Sequence, residues 1–328
     1  MAQGACLGVI EITKQPKSDY DRLKDQLRFI ADENGKKIIS KLESKSLGLT
    51  VGDNEYLPHT LLKLAYLNYY MGIFATIASS RKKNHGFNKV LFIDAFGGSG
   101  LVRIKNTEFT ILGSSLLALL NDKFDKVISF EIDEKRADLL SRRMELISPG
   151  RSIVITGDVN ENIDKIANEF VNSRTIVLFF VDPEGMEPNF SQLKALTDRS
   201  QFVDIMMNYT WGVYRLEGRI KKMFTKSDFD RMKTFLPTYE QGKTPDEALL
   251  QLFEKEFGKP YGERVAISSI GSKIEYWMIL RVRETKSKSK FLEAMKLFGG
   301  IIEGYNGEKV KTILENIKGI QSGFTFND

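Results

Sequence analysis

From Lys89 onward, short apolar runs without internal alternation are separated by stretches of helical periodicity. Val90-Leu91-Phe92-Ile93, Val127-Ile128-Ser129-Phe130, Ile153-Val154-Ile155, Ile176 to Val181 and Phe202 to Met207 are the runs. Runs of this kind suit parallel strands buried on both faces. The segments between them predict helices at 114–120, 135–146 and 160–172. Strand–helix alternation of this kind predicts an α/β fold with a doubly wound, mostly parallel sheet. The rhythm breaks at 211–262, which is charged and predicts helices near 215–224, 227–235 and 245–257. Val265–Ile270 and Tyr276–Val282, separated by Gly271-Ser272-Lys273, predict an antiparallel hairpin. Helices at 287–298 and 308–317 close the chain.

Ahead of the sheet, the pattern predicts one helix over 18–45 and an apolar helix over 57–80, followed by the basic connector 81–86. The expected organisation is an N-terminal helical extension (1–55), an α/β core (56–210), a helical insertion (211–262) and closing strands and helices (263–328). The apolar stretch 57–78 is long enough to span a membrane, but His59, Lys63 and Asn68 interrupt it. A buried helix is the expectation, with no membrane partner.

Composition narrows the chemistry. Of the 328 residues, 42% are hydrophobic, enough for a well-developed core. One cysteine, Cys6, excludes an internal disulfide, and with only two histidines no metal site is expected. The N-terminus has no signal-peptide pattern, so a cytoplasmic protein is expected. A net charge of +5 is a weak pointer to an anionic partner.

Each apolar run ends in an acidic or amide residue, and in wound sheets ligands bind beyond those carboxyl ends. The first run leads into Asp94-Ala95-Phe96-Gly97-Gly98-Ser99-Gly100. Such a glycine turn lets the backbone approach a ligand, and it is shared by several nucleotide-type sites. A dinucleotide fingerprint needs a third glycine three positions after the second, where Arg103 stands, and no Gly-Lys-Ser/Thr follows for a phosphate loop. Glu131, at the end of the second run, suits ribose hydroxyls. Asp158, at the end of the third, suits an adenine amine, with the next backbone amide reaching the ring nitrogen. Singly, each acid is an ordinary loop residue; together at successive strand ends they favour an adenosine-type ligand. The expected S-adenosylmethionine site is Asp94, Phe96, Gly97, Gly98, Gly100, Glu131, Ile132, Asp158 and Val159.

Asp182-Pro183, at the end of the fourth run, carries two readings. It is a common turn pair, or it is the catalytic station, where Asp182 and the Pro183 carbonyl align a methyl acceptor. The apolar helix 57–80 is core, or a lid packed over the loop with Tyr56 and His59 at its start; His59 itself is a structural residue or a ligand. The basic segments 81–89, 215–226 and 281–296 would form a nucleic-acid track if they met around Asp182, with Tyr209, Trp211 and Tyr214 available to stack on a base.

Phe92 to Gly100, then Leu112-Gly113-Ser114-Ser115-Leu116-Leu117-Ala118-Leu119, resembles the three-Cys-motif partner proteins. So do Phe180-Val181-Asp182-Pro183-Glu184-Gly185 and the late strand Tyr276-Trp277-Met278-Ile279-Leu280. The resemblance covers about 56–300. It implies a class I methyltransferase-like fold, S-adenosylmethionine as cofactor, and a protein partner bearing three cysteines. Ser99 and Ser115 replace prolines of the family pattern. Glu184 replaces an aromatic residue, which weakens base methylation in particular. Two functions therefore stand: methyl transfer to a macromolecule such as nucleic acid, or a non-catalytic partner that keeps the cofactor fold. The incomplete glycine fingerprint disfavours a nicotinamide oxidoreductase.

Overall fold

The computed structural model describes residues 17–31, 33–50, 53–210, 217–218, 226–240, 242–271, 273–284 and 290–319. Cys6, Trp211, Tyr214 and most of the helix expected at 215–224 lie outside the described residues. In chain order the elements through the central sheet are α1 (Asp19–Ala31), α2 (Glu33–Glu43), β1 (Asn54–Tyr56), α3 (Thr60–His85), β2 (Lys89–Asp94), β3 (Leu101–Ile104), β4 (Thr110–Leu112), α4 (Ser114–Leu119), β5 (Lys126–Glu131), α5 (Glu134–Ile147), β6 (Ser152–Thr156), α6 (Val159–Phe170), β7 (Thr175–Val181), α7 (Phe190–Leu193), α8 (Ala195–Arg199) and β8 (Val203–Thr210). Helices Lys226–Phe235 and Pro245–Gln251, strands β9 (Tyr261–Ser268) and β10 (Ile274–Val282), and helices Lys290–Glu303 and Gly307–Ile317 follow.

Successive residues of a strand point to opposite faces, so each buried strand divides its side chains between two helical layers. Val90 and Phe92 of β2 join one core, while Leu91 and Ile93 join the other. In β7, Leu178 and Phe180 face the first layer, and Val177, Phe179 and Val181 face the second. The first layer holds α1, α3, α4, α5 and the two C-terminal helices Lys290–Glu303 and Gly307–Ile317; the second holds α6, α7, α8 and helices Lys226–Phe235 and Pro245–Gln251. Strand order is β6-β5-β2-β7-β8-β10-β9. The first five are parallel, and β10 runs antiparallel to both β8 and β9. This is the doubly wound, mostly parallel Rossmann-like sheet expected, closed by a C-terminal antiparallel hairpin. The chain winds from β2 out to β6 and returns to β7 beside β2, so the crevice between β2 and β7 is the switch point where such sheets bind ligands.

Several expected boundaries shift for physical reasons. The helix expected over 18–45 is two helices, α1 and α2. The apolar helix continues through the basic connector to His85. Lysines in a last turn complement the helix dipole, and the left-handed Gly86 (φ 70°) ends it. Its apolar surface extends nearly all round, as a helix packed on several sides requires. By length and composition it could cross a membrane; here 13 of its residues are buried among the sheet, α1, α4 and the C-terminal helices. The stretch 101–112, without an expected element, forms β3 and β4, which join β1 in a separate three-stranded sheet. The helix at 245–257 is α-helical only to Gln251 and continues as a π-helical turn over Leu252–Glu256.

Candidate active site

Beyond the carboxyl ends of β6, β5, β2 and β7 lies a cleft of about 850 Å3, its open mouth included. Each strand end contributes lining residues: Asp158 after β6, Glu131 at the end of β5, Phe96 and Gly98 after β2, and Asp182 after β7. The glycine loop after β2 forms the floor. Its Gly97 amide donates to the Phe130 carbonyl at 2.8 Å, which locks the loop onto β5. A Cβ on Gly97 would come within 2.8 Å of Leu140 and 3.0 Å of Ser129, so no larger residue fits that approach. Gly98 sits in the left-handed region (φ 59°) and leaves the cleft open above it. Gly100 is turned away from the main cleft, and its carbonyl accepts from Gly113 N at 2.7 Å.

Asp94 lies beneath the loop and has no exposed surface. Its Oδ2 accepts from Ser114 Oγ (2.6 Å) and Ser115 Oγ (2.7 Å), and its Oδ1 from Phe96 N (3.2 Å). Burial pushes its carboxyl up to about 6, against the lowering effect of those three bonds. The structure thus places Asp94 as a strut between β2, the loop and the start of α4. A second buried cluster supports the loop from α5. All five N–H groups of Arg143 are engaged: Nε with Leu47 O, and the two terminal nitrogens with Gly48 O, Ser99 O and both oxygens of Asp53. Burial opposes the charge on Asp53, yet bonds from Arg143, Ser99 and Thr50 hold its carboxyl below the usual range. Neither Asp53 nor Arg143 carries a signal in the sequence beyond an arginine inside a helix.

On the cleft side, Glu131 is 8% exposed. Its Oε1 accepts from Asp133 N at 2.9 Å and lies 3.7 Å from Arg136 Nε. Arg136 in turn donates to Asn54 Oδ1 at 3.1 Å, a link from α5 to β1. Ile132 stands 68% exposed on the rim, an unusual position for a large aliphatic side chain next to a buried acid. Asp158 caps α6 by accepting from Asn160 N at 2.8 Å and also lines the cleft, with Val159 behind it. Phe96 and Gly98 line it from the loop. Phe96, Gly98, Glu131, Ile132, Asp158 and Val159 therefore share one cavity with Asp182, whereas Asp94 sits below it and Gly97 and Gly100 line a narrower recess toward α3.

Asp182 joins the cleft to that recess, and Pro183 is buried behind it. Its carboxylate forms an ion pair with Lys63 of α3 and accepts from Asn208 Nδ2 at 3.0 Å at the end of β8. The Lys63 ammonium lies 5.6 Å from the centroid of Tyr56 and 5.8 Å from that of Tyr276. Tyr56 donates weakly to Glu184 Oε1 at 3.4 Å, so an aromatic ring from β1 stands beside Glu184. Burial, with Asp182 and Glu184 nearby, raises the Tyr56 hydroxyl well above its usual range. One helical turn before Lys63, His59 packs edge-on against Tyr276 at 5.5 Å, and burial pushes its imidazole down to about 4. Lys63 and Asn208 are the functional candidates that motif reasoning did not assign, while Tyr56 stands at the site, as the lid reading expects. Lys63 had a signal, because a lysine inside a buried apolar helix requires a partner.

Among the described residues, the basic segments 81–89 and 281–296 do not meet at Asp182. Arg81 and Arg283 both lie over Phe202, which precedes β8, at the opposite end of the sheet. Most of 215–226 lies outside the described residues.

No protein-family model matches the chain, and no curated protein matches it. Solved structures with some likeness include an O-methyltransferase from Bacillus cereus in complex with S-adenosylhomocysteine, 15% identical, covering 83% of this chain and 94% of its own, TM-score 0.39. An rRNA methylase from Streptococcus thermophilus is 10% identical over 66% of this chain and 95% of its own, TM-score 0.37. The methyltransferase domain of a bacterial protein, CtHen1-C, is 12% identical over 67% of this chain and 100% of its own, TM-score 0.35.

Proposed function

We propose that the protein is an S-adenosylmethionine-dependent methyltransferase of class I type. One observation carries this reading: Gly98, Glu131, Asp158 and Asp182, from four adjacent strand ends, converge on a single cleft. The donor set fits the cofactor. Glu131 has acceptor capacity for two ribose hydroxyls, and the exposed Ile132 offers an apolar face for a purine. Asp158 suits the exocyclic amine, and the Val159 amide suits a ring nitrogen. The opening over Gly98 leaves room for the thioether chain, with Gly97 and Gly100 framing the recess. When bound, the cofactor supplies an electrophilic methyl group on sulfur.

The chain's own task is then alignment. Asp182, held between Lys63 and Asn208, keeps a fixed position at the mouth of the recess, and the Pro183 carbonyl adds a second acceptor. A nucleophilic amine with its N–H groups directed at these oxygens presents its lone pair to the cleft. With one oxygen paired to Lys63 and the other bonded to Asn208, Asp182 serves to orient the acceptor by hydrogen bonding. Tyr56 is the ring available to stack on a planar acceptor in place of the missing aromatic at Glu184. Nucleic acid as acceptor, and a three-cysteine protein as partner in keeping with the family resemblance, belong to this proposal. The +5 charge and Tyr56 support the former; two of the basic segments stand away from the cleft and lend it nothing.

The second reading, a cofactor-binding partner protein without catalysis, is favoured by Glu184 and by the engagement of both Asp182 oxygens. Labelled methyl transfer to separated RNA, DNA and protein fractions of a lysate distinguishes the two. The proposal expects label in one fraction, lost in Asp182→Ala. Binding of cofactor without transfer to any fraction would establish the partner reading instead.

A further inference from the structure

At the amino ends of β7 and β8, the end of the sheet remote from the cleft, a second pocket opens to solvent, about 500 Å3 with its open mouth included. Its walls are mainly apolar, with Phe74 and Ile77 from α3 facing Phe202. Three charged groups converge on it: Asp204, Arg81 and Arg283. The buried Tyr70 donates to Asp204 Oδ2 at 2.7 Å. Among the described residues, Asp204 Oδ1 has no hydrogen bond. Behind it stands Lys259, whose ammonium donates to Gln201 O at 2.7 Å.

The guanidinium carbons of Arg81 and Arg283 lie 5.8 and 4.4 Å from the Phe202 ring centroid. Neither forms an ion pair among the described residues. Arginines resting on an aromatic ring are common at protein surfaces. Here, however, two of them line a cavity together with a carboxylate, and neither forms an ion pair with it among the described residues. Cations around one acid normally close on it, because a direct contact gains both charge and hydrogen bonds. Holding them apart leaves two guanidinium forks and one carboxylate oxygen directed at the same apolar slot.

We propose that this cavity binds a small aromatic molecule of amino-acid type. Its ring fills the slot against Phe74 and Phe202, its carboxylate meets Arg81 and Arg283, and an adjacent N–H group donates to Asp204. The site lies at the far end of the strands from the cofactor cleft and does not depend on the methyltransferase reading.

Calorimetric titration of the full chain with tryptophan, indole-3-acetate and indole tests it. Tryptophan should bind most tightly, indole-3-acetate about tenfold more weakly for want of the amine, and indole weakest of all. Arg283→Ala should remove most of the advantage of indole-3-acetate over indole. Ile77→Trp fills the slot from a position that is 38% exposed, and should abolish binding of all three ligands without changing the unfolding midpoint. Failure of all three to bind the unaltered chain would overturn the proposal, as would binding indifferent to Ile77→Trp.

Discussion

The two sides of the glycine loop are built differently. Beneath it, every polar group that meets the loop is occupied: Asp94 by two hydroxyls and an amide, and Arg143 by five acceptors. Above it, Glu131 accepts one backbone hydrogen bond and pairs with Arg136 at 3.7 Å, Asp158 accepts one backbone hydrogen bond, and both line the cleft with acceptor capacity to spare. A carboxylate has about four acceptor sites, so the contrast separates groups that hold the fold from groups that await a ligand. Asp182 falls between these cases. It is bonded through both oxygens, yet it still borders the cleft.

If that contrast is right, changes below the loop damage stability and changes above it damage binding. The largest effect is expected for Arg143→Met. It leaves Asp53 buried without its cation and should cost about 3–5 kcal/mol, read from urea unfolding. Loss of less than about 1 kcal/mol would contradict the clamp.

The next effect is a pH dependence. Asp94 has a folded value of about 6, above its unfolded 3.8, so the folded state binds more protons between these values. Its contribution is full below about pH 4 and is lost as pH rises through 6. His59 has the opposite sign. Its folded value of about 4 lies below the unfolded 6.5, so its contribution is present above 6.5 and lost as pH falls through 4. The two oppose each other over the same window. Asp94→Asn should therefore make stability climb more steeply from pH 4 to 6.5, by on the order of 2 kcal/mol, and His59→Gln should make it fall. Unfolding midpoints across that range check both signs, and parallel curves for the two variants would contradict the assignment.

The smallest effect lies above the loop. Ile132→Ala removes an exposed side chain and should leave stability unchanged within about 0.5 kcal/mol. It should weaken binding of S-adenosylhomocysteine by roughly fivefold, on the order of 1 kcal/mol of lost apolar contact.

The sheet was legible in the sequence because fully buried parallel strands read as unbroken apolar runs. β2 and β7 show this in full, β5 and β8 with one polar interruption each (Ser129 and Asp204), and the acidic or amide residues at their ends mark the binding edge. The short strands β1, β3 and β4 were not legible. Asn54-Glu55-Tyr56 has no apolar run, and its pairing partner lies some fifty residues further on. The candidate site was legible wherever one strand end sufficed, as for Glu131 and Asp158. The Lys63–Asp182 pair was not, since 119 residues separate its members. Only the oddity of a lysine among leucines hinted at it. Asp94 shows a further limit: its place after the first strand marks the loop, but only burial and hydrogen bonding show on which side of the loop its carboxylate lies.

The most direct test of the cleft is calorimetric titration of the unaltered chain and Glu131→Ala with S-adenosylhomocysteine and with NAD. Binding of S-adenosylhomocysteine in preference to NAD, weakened about a hundredfold in Glu131→Ala while the unfolding midpoint holds, is the expected result. Absence of S-adenosylhomocysteine binding to the unaltered chain, or equal affinity in the variant, would contradict it.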